Sequence, residues 1–167
     1  MLLAPLTAED WSLAGRRIYE QGIAGGEATF EASAPDWEHW TEPREGLPAL
    51  VARAEDDGEI VGWAALTPVS HREVYRGVGA VSIYVDPAHA GRGVGTALLS
   101  GLIEASERAG FWTIEAGIFP ENEASIALHR ACGFRQVGVR ERAGQMPDGR
   151  WRDVLLMERR STSVGCS

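Results

Sequence analysis

A chain of 167 residues, 44% hydrophobic and 24% charged, suits one domain with a sizeable core. Its formal net charge of −8 argues against nucleic acid or an anionic membrane as the main partner, while leaving room for a local anion site. No apolar run nears the roughly 20 residues that cross a bilayer, and no signal-peptide pattern is present. Cys132 and Cys166 are not placed for a disulfide, so a reducing cytoplasm is the expected setting.

In chain order, "LLAPL" suits a short first strand. Thr7 can cap a helix, with Asp10 three residues on, running through Leu13 and Ile18. "GIAGGEATFE" reads as a loop, and "PDWEHW" as a short helix carrying Trp37 and Trp40. "PALVARA" and "EIVGWAALTPV" flank "EDDGE", a hairpin pattern. "VSHREVYRG" is a polar loop. "AVSIYVD" alternates, sending Val81, Ile83 and Val85 one way and Ala80, Ser82 and Tyr84 the other. Ala97, Leu98, Gly101, Leu102, Ala105 and Ala109 then form a helical stripe. "FWTIEAGIF" is a strand, "NEASIALHRACGF" a helix ended by Gly133, and "RQVGVRERA" and "RWRDVLLMERR" are strands around "MPDG". The expected fold is α+β: residues 1–160 form one domain with a mixed, mostly antiparallel sheet and helices on both faces. The unit from Ala80 to Phe119 supplies one parallel pair. Residues 161–167 are expected to be a disordered tail.

"YVDPAHAGRGVGTALL" crowds Gly91, Gly93 and Gly95 between a strand and a helix. Glycine costs a helix roughly 1 kcal/mol per residue, so these residues mark backbone that must bend tightly or approach a ligand. Main-chain N–H groups turned inward, the positive helix start and Arg92 together suit a phosphate. The other reading is a tight turn. A Walker loop would need lysine where Thr96 follows Gly95, and a dinucleotide loop would need a third glycine at Thr96.

The stretch resembles the pyrophosphate loop of the GCN5-related N-acetyltransferases, Arg/Gln-x-x-Gly-x-Gly/Ala, here Ala90-Gly91-Arg92-Gly93-Val94-Gly95. Ala90 departs from the pattern by removing a side chain but not the main-chain nest. With "ATFE", "ENEASIALHRACGF" and "DGRWRDVLLMERR", the chain is similar to the branch that acetylates phosphinothricin and L-amino acids. The resemblance implies acetyl-CoA as co-substrate and a small-molecule amine as acceptor, the α-amino group of an amino acid or toxic analogue such as phosphinothricin or methionine sulfoximine. It also implies direct transfer in a ternary complex and a homodimer. Acetyl-CoA is then expected at Ile83, Tyr84 and Val85, at Gly91, Arg92, Gly93, Val94, Gly95 and Thr96, and at Asn122 and Ser125. The acceptor is expected at Phe30 and at Arg72, Glu73, Val74 and Tyr75, where an arginine suits a carboxylate or phosphinate. Arg72 can equally be solvated charge, and Phe30 core.

His129 stands where the superfamily often has a tyrosine that returns a proton to the leaving thiol; it either does that or only hydrogen-bonds. The branch usually carries a glutamate two residues before the Ser-x-Tyr-Val run, and here that position is Ala80. The base is then solvent, Glu73, Glu31, Glu115 or His129, or the protein is a CoA-binding module without catalysis. Acetylation of a peptide N-terminus is a further alternative. His39, His71 and His89 have no metal-ligand spacing, so no metal is expected. Trp151 and Asp153 also match the branch, as structure or dimer contact.

Overall fold

The computed structural model describes residues 1–166. Strand β1 (Leu2–Pro5) leads into helix α1 (Ala8–Asp10), started by a capping box between Thr7 and Asp10. A π-helical turn, Trp11–Gly15, joins α1 to α2 (Arg16–Ala24), and the Gly15 carbonyl accepts from the Trp63 indole at 3.0 Å. Helix α3 (Trp37–Thr41) is capped by Asp36. Strands β2 (Ala49–Arg53), β3 (Ile60–Pro68) and β4 (Val78–Val85) follow, then α4 (Val94–Arg108), β5 (Thr113–Ile118), α5 (Glu123–Ala131), β6 (Arg135–Gln145) and β7 (Trp151–Arg160). The order of elements matches the sequence reading.

The seven strands form one sheet in the order β1-β2-β3-β4-β5-β7-β6. All neighbours are antiparallel except β4 and β5. One face packs on α4 and α5, where Val81, Ile83 and Val85 meet Leu98, Leu99 and Leu102. The other carries Trp11, Tyr19, Trp40, Trp63 and Tyr84 under the first three helices. The alternation of β4 therefore holds residue by residue.

Helix α4 departs from its expected stripe. It buries Val94, Leu98, Leu99, Leu102, Ile103 and Ser106, leaving Ala97, Gly101 and Ala105 half-buried and Ala109 exposed. Apolar burial stabilises by about 25 cal/mol per Å², so the helix turns its branched side chains inward and its alanines aside. The segment after β7, expected to be disordered, folds back as far as Cys166. Ser161 is buried and donates to the Glu107 carboxylate at 2.9 Å, and Arg160 donates to the Val164 carbonyl at 2.8 Å. Cys132 and Cys166 are free thiols. No helix of the described residues is long and apolar enough to cross a membrane.

Candidate active site

Strands β4 and β5 pair over only three rungs, Val78–Thr113, Gly79–Ile114 and Ala80–Glu115, and then part. On its other edge β4 stays bonded to β3 as far as Val85. The Asp86 N–H donates to the Val61 carbonyl at 2.9 Å, and the Ala80 carbonyl also faces β3, accepting from Thr67 at 3.4 Å. Peptide groups alternate sides along a strand, so Ile83 and Val85 turn their N–H and C=O into the opening. Two cavities meet there, sharing Ala28, Ile83, Tyr84, Asn122 and Ser125.

The first cavity, about 680 Å³, lies along the glycine loop and the start of α4. Gly91 (φ 75°) and Gly93 (φ 80°) hold the left-handed backbone that other residues adopt at a cost. Gly93 is the N-cap of α4, and no side chain caps that end. The first-turn N–H groups are thus free to receive an anion, favoured further by the helix dipole. No atom lies within 4 Å of where a Cβ would stand on Gly91 or Gly93, so the loop is open to a ligand. Gly93, Val94, Gly95 and Thr96 line this cavity with Gly91, and Arg92 stands exposed on the same loop. A pyrophosphate fits this end, and the free edge of Ile83 and Val85 fits an amide-bearing chain.

The second cavity, about 390 Å³, opens beyond Ile83, on the side of the loop between α2 and α3. Phe30 lines it and meets Phe119 edge-on at 4.9 Å. His129 is buried in its wall, with the ring perpendicular to Phe134 at 4.9 Å. Its Nδ1 donates to the Ser125 carbonyl at 2.8 Å, while its Nε2 is buried without a partner. Burial lowers its pKa against the opposing hydrogen bond to Ser125, so the ring is neutral and Nε2 carries a lone pair.

Asn122 lines both cavities and also caps α5. Its Oδ1 accepts from the Ser125 N–H at 3.1 Å and its Nδ2 donates to the Glu27 carbonyl at 3.0 Å. Glu115 lies outside both linings but occupies the rung beside Ala80, on the same face of the sheet. Burial, and then the carboxylate of Glu158 opposite it on β7, raise its pKa; Arg140 opposes them. Arg72, Glu73, Val74 and Tyr75 are brought to neither cavity. They form an exposed turn, with the Arg72 guanidinium 5.5 Å over the Tyr75 ring. Trp151 is exposed, and Asp153 accepts from the Arg142 N–H at 2.7 Å.

Two arginines that the sequence reading passed over shape the second cavity. Arg152 is 8% exposed and donates to Glu27 at 2.8 Å, Glu121 at 2.9 Å and the Gly26 carbonyl at 3.1 Å. Its guanidinium also lies 4.0 Å over Phe119, fastening the loop that carries Phe30 to β7. Arg44 lines the cavity itself. Among the described residues, no group of three His, Cys, Asp or Glu could hold a metal ion.

The split parallel pair and the glycine loop set an anion-suited helix start beside a free strand edge. Residues 12–134 match the model of the acetyltransferase (GNAT) family, and the chain belongs to that family. It is an N-acetyltransferase that uses acetyl-CoA. It is 39% identical over 151 residues to phosphinothricin N-acetyltransferase of Alcaligenes faecalis, spanning 85% of this chain and 74% of that one. Its structure is similar to a GNAT superfamily phosphinothricin acetyltransferase from Sinorhizobium meliloti in complex with AcCoA (TM-score 0.88, 32% identity, 99% and 91% of the two chains). It is also similar to a ribosomal-protein-alanine N-acetyltransferase from Brucella melitensis (TM-score 0.87, 34% identity, 96% and 100%).

Proposed function

We propose that this enzyme acetylates the α-amino group of a small amino acid or toxic analogue of the phosphinothricin or methionine sulfoximine type, within a ternary complex. The observation that carries the reading is the meeting of the two cavities at the free edge of Ile83. One suits a phosphate-bearing chain and the other a small molecule, so both reactants can be held at one point.

Acetyl-CoA, when bound, supplies the acetyl group as a reactive thioester. The loop from Gly91 to Thr96 holds its phosphates, and the main-chain groups of Ile83 and Val85 orient the rest. The Ile83 N–H is the donor available to a carbonyl oxygen that gains charge. The acceptor must reach this point as a free amine. Ala80 has no proton-accepting group, and Glu115 on the adjoining rung takes that place, through water. His129 is neutral and its Nε2 unpartnered, so it accepts the proton that the nitrogen sheds as the C–N bond forms and returns it to the CoA sulfur as the C–S bond breaks. The chain pairs with a second copy through the face of β6 and β7, where Val137, Val139 and Trp151 stay exposed.

A thiol-release assay with acetyl-CoA and a panel of phosphinothricin, methionine sulfoximine, ordinary amino acids and an alanine-ended peptide tests this. Turnover on the small acceptors is expected. Turnover on the peptide alone would favour the second reading, suggested by the ribosomal-protein-alanine relative. CoA binding without turnover on any amine would mark a binding module.

A further inference from the structure

Resting on that reading, we propose that Arg44 is the anchor for the acceptor's carboxylate, making the enzyme selective for amines that carry an anionic group. Arg44 ends a short turn, Glu42–Arg44, and its guanidinium lies 4.5 Å over the ring of Trp40. One terminal nitrogen donates to the Trp40 carbonyl. The Nε is buried and has no partner. Among the described residues Arg44 belongs to no ion pair.

The contrast with Arg152 carries the argument. Arg152 is buried beside the cavity, and Arg44 lines it half-buried with its Nε out of water; shielding a guanidinium from solvent is costly unless a counter-charge is present. Arg152 has two carboxylates. Arg44 faces Tyr19, Tyr84 and Glu31. Burial raises the pKa of both tyrosines, so neither supplies a negative charge. Two carboxylates line the cavity, Glu27 and Glu31. Glu27 is held by Arg152, and Glu31 is exposed with no basic partner within 4.0 Å. A positive charge on the wall of a cavity of about 390 Å³, with no carboxylate of the described residues within 4.0 Å of it, fits an anion that arrives with the ligand. A zwitterionic α-amino acid supplies it, and Glu31, which also lines the cavity, then suits the ammonium end. The exposed turn of Arg72 lines neither cavity, which leaves Arg44 as the cation facing the acceptor.

The test compares wild type, Arg44→Met and Arg44→Lys on methionine sulfoximine and on its methyl ester, whose carboxylate is masked. Melting temperature and acetyl-CoA affinity check that each variant is folded. Arg44→Met is expected to raise KM for the free acid at least 30-fold, with kcat within threefold, and to change KM for the ester less than threefold. Arg44→Lys should recover part of the loss. Equal effects on both acceptors, or none on either, would make Arg44 a packing partner of Trp40 and overturn the proposal. Calorimetric binding of methionine sulfone to the CoA-bound protein gives a readout independent of turnover. Binding lost in Arg44→Met supports the anchor even if no acceptor is turned over, and wild type that binds neither the sulfone nor the free acid refutes it.

Discussion

Replacing Glu115 by glutamine tests the assignment of the base. Glu115 shares a rung with Ala80 on one side and with Glu158 on the other. Its carboxyl pKa is raised by burial and by Glu158, so the folded protein binds that proton more tightly than the unfolded chain. The resulting penalty is absent below the ordinary carboxylate range and complete above the raised pKa. Like charges facing each other across strands cost about 0.2–1 kcal/mol. At about 2–4 °C per kcal/mol for a chain of this size, Glu115→Gln should raise Tm by about 0.4–4 °C at neutral pH and by nothing in acid. Activity should move the other way. A general base contributes about 10²–10⁴-fold, so kcat/KM should fall about 100-fold at neutral pH with acetyl-CoA affinity intact. The deficit should narrow at high pH, where solvent deprotonates the amine. Wild-type activity should decline as pH falls through the raised pKa, and the variant should lack that limb. Thermal melts at two pH values and a thiol-release profile read both effects. A Glu115→Gln protein with wild-type rate and pH profile would refute the assignment.

Further outcomes follow from the same geometry. Ala80→Glu sets a second carboxyl on the adjoining rung beside Glu115, a further cross-strand like-charge pair that costs about 0.2–1 kcal/mol, so Tm falls at neutral pH and not in acid. In the Glu115→Gln background the same change should restore most of the lost kcat/KM, and failure to do so in a folded protein would separate this position from proton removal. Gly93→Val puts a β-branched residue at φ 80° and should weaken acetyl-CoA binding at least tenfold by calorimetry, with a smaller loss of stability. His129→Gln replaces the basic ring nitrogen by a non-basic amide and should lower kcat more than either KM. Arg152→Ala gives up charge-assisted hydrogen bonds worth about 2 kcal/mol, expected as a Tm drop of about 4–8 °C and a raised acceptor KM as the Phe30 loop loosens.

Local patterns in the sequence carried most of this structure. The alternation of β4, the apolar run of α4 and the Asp-Gly hairpin each depend on residues close in the chain, and each formed as expected. The glycine loop was readable for the same reason: positive φ and a helix start are local demands. The errors lie where distant elements decide. The face of α4 was set by which side chains the sheet could bury, not by helical period alone. The π-helical turn at Trp11–Gly15 ends on a carbonyl that accepts from Trp63, 48 residues away. Arg44 in "TEPREG" and Arg152 in "GRWRDV" look like solvated charge until Trp40, Phe119 and the loop after α2 close around them. The neighbourhood of Glu115 and Ala80 is a matter of register, 35 positions apart in sequence, and composition is silent on register.

The short seam between β4 and β5 has a mechanical meaning. A sheet held by three rungs at its middle is two half-sheets on a hinge, one of four strands and one of three. Across the split the halves depend on α4, α5 and the Arg152 clamp rather than on strand pairing. Any ligand that hydrogen-bonds to the edge of Ile83 and Val85 acts as a short strand of foreign chemistry, and stiffens the hinge while it stays. Binding energy and the rigidity of the whole fold are then linked through two amides, and hydrogen exchange at those two positions follows the joining of the halves.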